Sequence, residues 1–270
     1  DYSEAIKIDD NNKFYYYSRA FVREKLKDFE GAIQDYSEAI KIDENNSDFY
    51  YWRGGARQKL KDHISAIEDF DNAIRIDPKK DYLFISRGYS KAQTGDYVGA
   101  IKDYSSALSL NPNNKGTYIS RGHYKSQIGN LKGALADYSA AINIDPLDPE
   151  SYISRAWTNF NLGDYSQANL DHEKVLEIGN PIQKLDSIIS LIENNFMLSN
   201  LSRVPELIEK AKLLLNQSDN KEKETTLLFA ESRYYINIGN FNKSEELAKK
   251  CLAKTNDSIY ENACSSILSN

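Results

Sequence analysis

Six triplets recur in this chain at a spacing that never slips. Asp1-Tyr2-Ser3, Asp35-Tyr36-Ser37, Asp69-Phe70-Asp71, Asp103-Tyr104-Ser105, Asp137-Tyr138-Ser139 and Asp171-His172-Glu173 each stand 34 residues after the last. Self-similarity at such a period points to a solenoid, in which a unit buries its apolar face only by stacking on its neighbours. Asp1 to Asp9 and Asp35 to Asp43 are the same nine residues, so duplication is the simplest origin of the array.

The unit is most legible from Gly116 to Pro146. Leu131, Leu135, Tyr138 and Ile142 follow one another at spacings of four, three and four, which lines one stripe of a helix and leaves Lys132 and Asn143 to face water. Tyr118 to Ile128 reads as a preceding helix, closed by Gly129-Asn130, residues that tolerate a left-handed backbone. Two short helices joined by so tight a turn pack antiparallel. Gly122, Ala134 and Ala141 are small where large side chains would hold the backbones apart, and Pro146 stops the second helix for want of an N–H.

These columns resemble the tetratricopeptide repeats, whose unit is a 34-residue helix-turn-helix. The first-helix aromatic of that family stands here as Tyr16, Tyr50, Phe84, Tyr118 and Tyr152, and its small residue four places on as Ala20, Gly54, Gly88, Gly122 and Ala156. Its second-helix alanines stand as Ala32, Ala66, Ala100, Ala134 and Ala168, then Ala39, Ala73, Ala107 and Ala141, with Val175 in the last place. The closing proline is present as Pro78, Pro112 and Pro146, and Glu44 and Asn180 replace it elsewhere. The resemblance implies an all-α, right-handed α-solenoid of antiparallel hairpins with helices of about 12–14 residues. Residues 1–12 read as the second helix of a truncated repeat, 13–182 as five clear repeats, and 183–270 as divergent repeats with a terminal helix. Between the divergent units, Gln217 to Glu224 is polar enough for a longer, mobile connection or an extended helix start.

One column departs from the family. Where a leucine is usual, this chain has Arg19, Arg53, Arg87, Arg121 and Arg155, and 16 residues after each comes Asp35, Asp69, Asp103, Asp137 or Asp171. A guanidinium beside a hairpin seam cannot lose its charge, so it is expected to find the aspartate of its own repeat or of the one before. The spacing predicts a structural ladder; an arginine stripe that grips an acidic peptide is the functional alternative.

Several function classes are disfavoured. A net charge of −6 lacks the basic face a phosphate-backbone binder needs, so nucleic acid is not an expected partner. No run of about 18 apolar residues suggests a membrane span. His63, His123 and His172 stand alone, without the pairing that puts metal ligands on one helix face. The glycines sit at turns or among the small residues and build no phosphate-cradling motif, so neither a cofactor nor catalysis is expected. Cys251 and Cys264 are too few for a disulfide framework, which favours a reducing, cytoplasmic setting.

What remains is the inner face. In arrays of this family the first helices line the concave side, which implies a peptide-binding face of Tyr17, Phe21, Tyr51, Trp52, Ile85, Tyr89, Ile119, His123, Ile153 and Trp157, with Ser18, Ser86, Ser120 and Ser154 beside them. Interior and groove are one residue apart on a helix, so some of these rings are expected to pack between repeats. The lysine-and-asparagine clamp with which some members hold chaperone tails has no counterpart at these positions. Two readings follow. The chain is a protein-interaction scaffold that binds a partner segment in an aromatic groove, or it is a spacer or oligomerisation arm of a larger protein.

Overall fold

The structure, a computed structural model, describes residues 2–216, 221–255 and 258–268. Among these the regular elements are sixteen α-helices and one short 3-10 turn, with no strand. The helices fall into two compact units, Asp1–Ile144 and Asp145–Asn270.

The first unit is a stack of hairpins. After α1 (Tyr2–Ile8) come α2 (Lys13–Lys25) and α3 (Phe29–Ile42), α4 (Ser47–Lys59) and α5 (His63–Ile76), α6 (Asp81–Gln93) and α7 (Tyr97–Leu110), and α8 (Lys115–Gln127) and α9 (Leu131–Ile144). Each helix packs on the next in sequence. The turn inside each hairpin follows one recipe. A residue with positive φ (Lys27, Lys61, Gly95 or Gly129) ends the first helix, and the next residue, Asp28, Asp62, Asp96 or Asn130, accepts an N–H from the first turn of the second. Asn130 is thus an N-cap, and the left-handed backbone belongs to Gly129 alone. Between the helices the alanine columns are fully buried, as are Tyr36 and Phe70. Gly122 shows why that seam tolerates no side chain, since a Cβ there would lie 3.0 Å from the Tyr138 ring.

The second unit opens with a hairpin of the same kind, α10 (Pro149–Asn161) and α11 (Tyr165–Ile178), turning at Gly163 with Asp164 as cap. It continues with α12 (Pro181–Met197), the 3-10 turn Leu201–Arg203, α13 (Val204–Leu215), α14 (Lys221–Asn237), α15 (Phe241–Lys254) and α16 (Ser258–Leu268). Two of these exceed the expected length, α12 and α14 with 17 residues each. α12 gains its start from a reciprocal cap between Asn180 and Gln183 and from Pro181, whose missing N–H costs nothing in a first turn. The polar run divides: Lys221 to Glu224 open α14, and Gln217 to Asn220 lie outside the described residues. Leu185, Ile188, Leu191 and Ile192 of α12 form the centre of an apolar cluster with Val204, Leu207, Ile208 and Ala211 of α13.

The two cysteines are not free. Cys251 on α15 and Cys264 on α16 are joined as a disulfide, both fully buried, so together they clasp the last described helix to its neighbour. Their small number excludes a framework but not a single clasp, and the ground for favouring a reducing setting falls away. α16 also packs on α14, where Thr226 Oγ1 donates to Tyr260 Oη across 34 residues at 2.9 Å.

Candidate functional site

The arginine column lies at the seams. In each of the five repeats the guanidinium donates through Nε and Nη2 to the aspartate of its own hairpin, Arg19 to Asp35, Arg53 to Asp69, Arg87 to Asp103, Arg121 to Asp137 and Arg155 to Asp171, at 2.6–3.1 Å. The fork of an arginine matches a carboxylate in this way, and a lysine would not. In the first unit Nη1 then reaches the previous repeat, to Ser3, Ser37, Asp71 and Ser105, the third residues of the recurring triplets. The ring three residues before each arginine lies 5.5–5.9 Å from the guanidinium.

A second cation was missed in the sequence. Arg23, Arg57, Lys91 and Lys125, one helical turn past the arginine column, contact the same aspartates at 2.8–2.9 Å. The 34-residue period carried that signal, and in α10 the neutral Asn159 takes the place. All five carboxylates are almost fully buried. Burial pushes the Asp69 carboxyl above its ordinary value, although Arg53 and Arg57 draw it down. Arg19 rises, chiefly through its hydrogen bond to Asp35.

The inner-face residues divide by environment. Tyr17 packs against the rings of Tyr36 and Phe49, and Ile85 against the buried group around Tyr104, so both serve the core. Ile119 is half-buried, and His123 is exposed with its edge against Tyr124. Phe21, Tyr51 and Trp52 come together. Trp52 meets Phe21 and Tyr51 edge-on, with ring centres 6.3 and 5.2 Å apart, and the three border a cavity of about 530 Å³ whose wall includes Phe70 and Gly55. Trp52 also packs on the core group of Ala20, Ala32 and Tyr36, so truncating it would disturb folding as well as the cavity.

Gly55 is informative. It lies in the middle of α4, where a glycine gives up about 0.5–1 kcal/mol relative to alanine, yet a Cβ built on it meets nothing within 4 Å. Its neighbour Gly54 does have a packing reason, for a Cβ there would lie 2.9 Å from Phe70. Lys27 and Lys61 are a second unexpected feature. At φ near 63° and 62° they occupy the left-handed turn position that Gly95, Gly129 and Gly163 fill in later repeats, at a cost of roughly 1–2 kcal/mol each. Lys25-Leu26-Lys27-Asp28 and Lys59-Leu60-Lys61-Asp62 were the sequence signal for this, a lysine pair repeated in two repeats only.

In the second unit Ile153 and Trp157 line a smaller cavity, about 280 Å³, with Phe160, Ile189 and Glu193 on its walls. Trp157 is 55% exposed. His172 lies behind it, at the position that tyrosine or phenylalanine fills in the first unit, with Nδ1 3.3 Å from Ser187 Oγ. Burial alone pulls this imidazole down to about 4, so it is neutral at neutral pH. Among the described residues no cluster of three His, Cys, Asp or Glu is placed to hold a metal ion, and no helix is long and apolar enough to cross a membrane.

Residues 25–61 match a family described as TPR repeat, and residues 47–80 one described as tetratricopeptide repeat. No curated protein sequence matches the chain. Among solved structures, the C-terminal part of a TPR repeat-containing protein from Cytophaga hutchinsonii is 17% identical over 92% of this chain and 98% of its own, with a TM-score of 0.79. YrrB, a TPR protein with an unusual peptide-binding site, is 20% identical over 66% of this chain and 92% of its own, with a TM-score of 0.59. MamA is 22% identical over 61% and 90%, again with a TM-score of 0.59. At these identities the likeness is one of fold.

Proposed function

We propose that this chain, a tetratricopeptide repeat protein, holds a segment of a protein partner on the first helices of its repeats, with Phe21, Tyr51 and Trp52 as the principal anchor. Such repeats in general build interaction scaffolds, because stacked hairpins offer a long surface that a compact domain lacks. The anchor reading goes further, and Gly55 carries it. A helix that could take alanine there without a clash keeps glycine, and the cavity between the aromatic walls stays open. Open apolar recesses with a few polar groups at the edge are what binding sites are made of. The likeness to YrrB, a protein with a peptide-binding site of its own, supports the reading.

In this proposal Tyr89 extends the contact surface of the first unit, and Ile153 with Trp157 forms a separate anchor in the second. The Arg–Asp ladder is structural, since its charged groups face one another across seams. Residues 13–182 act as five regular repeats and 183–270 as divergent ones. The test is selection of peptides from a displayed random library on the immobilised chain, followed by retesting against Gly55→Leu. The expected binders carry a bulky apolar residue and lose at least tenfold in affinity to Gly55→Leu, while the variant's melting temperature does not fall. Binders indifferent to Gly55→Leu would remove the cavity from the binding surface.

A further inference from the structure

A recess of about 430 Å³ adjoins the aromatic cavity in the first unit, and the two share Gln58 and Lys59 as lining residues. Their characters differ. Phe21, Tyr51, Trp52 and Phe70 make one apolar, whereas Lys59, Lys61 and His63 line the other. Lys25 and Lys27 edge the aromatic side as well. The shared wall is held in place, because Gln58 Nε2 donates to Ser86 O at 2.9 Å and to Ser90 Oγ at 2.7 Å.

The cations here have no close salt-bridge partner, although Lys25 and Lys59 lie in the field of the Glu24 carboxylate. Among the described residues, Lys25, Lys27, Lys59 and Lys61 form no ion pair, and the Lys25 ammonium sits 4.9 Å from the centre of the Phe21 ring. Carboxylates in the neighbourhood are engaged. Glu24, which also lines the cavity, has its carboxyl pushed up by burial against the pull of the Tyr36 hydroxyl it accepts at 3.1 Å and of Lys25 and Lys59, and Asp28 and Asp62 cap the second helices of their hairpins. His63 Nδ1 is buried without a hydrogen-bond partner. Lys27 and Lys61 keep long charged side chains at a backbone position where glycine would be unstrained and where later repeats have it.

We infer that the two recesses together take a segment of a partner protein in which a bulky apolar side chain is flanked by carboxylates. The apolar side chain enters between Phe21, Tyr51 and Trp52, and the carboxylates meet the lysines of the two turns. This rests on the anchor reading above and adds the partner's chemistry. Four ammonium groups spread over two successive hairpin turns suit several carboxylates along a segment better than one focused dianion such as a phosphate. The chain as a whole carries −6, so an acidic partner is repelled by most of the surface and drawn to this edge, which orients its encounter.

The experiment uses the full chain carrying Trp157→Phe, so that Trp52 alone reports by its emission. Four synthetic dodecapeptides share one central phenylalanine, flanked by glutamates, by glutamines, by lysines, or by glutamines with one phosphoserine. The glutamate peptide is expected to bind at least tenfold tighter than the glutamine peptide, to weaken steeply between 50 and 300 mM salt, and to lose at least tenfold in Lys27→Gly/Lys61→Gly. That double variant should melt no lower than its parent, which separates lost binding from lost folding. Equal affinity for the glutamate and glutamine peptides, with both abolished by Gly55→Leu, would overturn the acidic assignment and leave the anchor reading standing. Tightest binding of the phosphoserine peptide would transfer the site to phosphorylated segments and overturn the carboxylate assignment. Silence of all four peptides, or binding untouched by Gly55→Leu, would overturn both.

Discussion

The seams inside the hairpins of residues 2–144 carry charge, while the seam inside the pair α12 and α13, residues 181–215, carries leucine and isoleucine. In the first region a nearly fully buried aspartate faces two cations inside each hairpin, beside buried alanines and one ring, while Ile40, Phe49, Tyr50 and Leu83 pack together as an apolar cluster. In the second, Leu185, Ile188, Leu191, Val204 and Leu207 fill the seam, and the buried Asn194 and Asn195 are neutral. A charged seam is demanding. Each carboxylate must meet its guanidinium in one geometry, and a slip of register would strand charges out of water. An apolar seam asks only for volume and tolerates exchange among leucine, isoleucine and valine.

The largest expected effect lies in the charged seam. Asp69→Ala leaves Arg53 and Arg57 facing each other without their counter-ion, and should cost about 3–5 kcal/mol in urea unfolding. Replacing all three together, as Asp69→Leu with Arg53→Met and Arg57→Leu, should recover most of that loss, because burial already outweighs the arginines in setting the Asp69 carboxyl. A triple variant as unstable as Asp69→Ala would show that the ladder adds net stability and does more than fix register.

That contrast also explains what could be read from the sequence. The 34-residue columns, the hairpins from Lys13 to Ile178 and the arginine–aspartate spacing were legible because charged and close-packed positions admit few residue types. Residues 183–270 were blurred because their seams accept many apolar combinations, and the lengths of α12 and α14 depend on local caps. Of the site, Phe21, Tyr51 and Trp52 could be named from their repeat positions, and the structure brings their rings together around one cavity. The packing of Tyr17 and Ile85 onto the core was not legible, and Tyr51, in the same 34-residue column, packs on Phe70 and a buried cluster while also bordering the cavity, so the column alone does not decide between the two roles. The left-handed lysines were visible only as a repeated dipeptide pattern whose backbone conformation the sequence does not display.

A smaller effect sharpens the comparison through pH. His172 replaces the ring that Tyr36, Phe70, Tyr104 and Tyr138 supply, and its folded-state value of about 4 lies below the ordinary one near 6.5. The unfolded chain therefore takes up the proton first. The stability His172 contributes is complete above about pH 6.5 and falls as pH drops toward 4, by about 2 kcal/mol between pH 7 and 5. His172→Tyr should flatten that part of the stability profile, measured by urea unfolding at both pH values. A profile as steep as the parent's would mean that the imidazole is charged in the folded state.

The anchor in the first unit is the centre of this account, and hydrogen exchange read by mass spectrometry tests it most directly. The full chain would be labelled alone and saturated with a library-selected peptide whose binding is confirmed by calorimetry. Slowed exchange is expected around Phe21 in α2 and from Tyr51 to Gln58 in α4, with little change in α3 and α5. Slowed exchange confined to the second helices, or found only in residues 145–270, would contradict it.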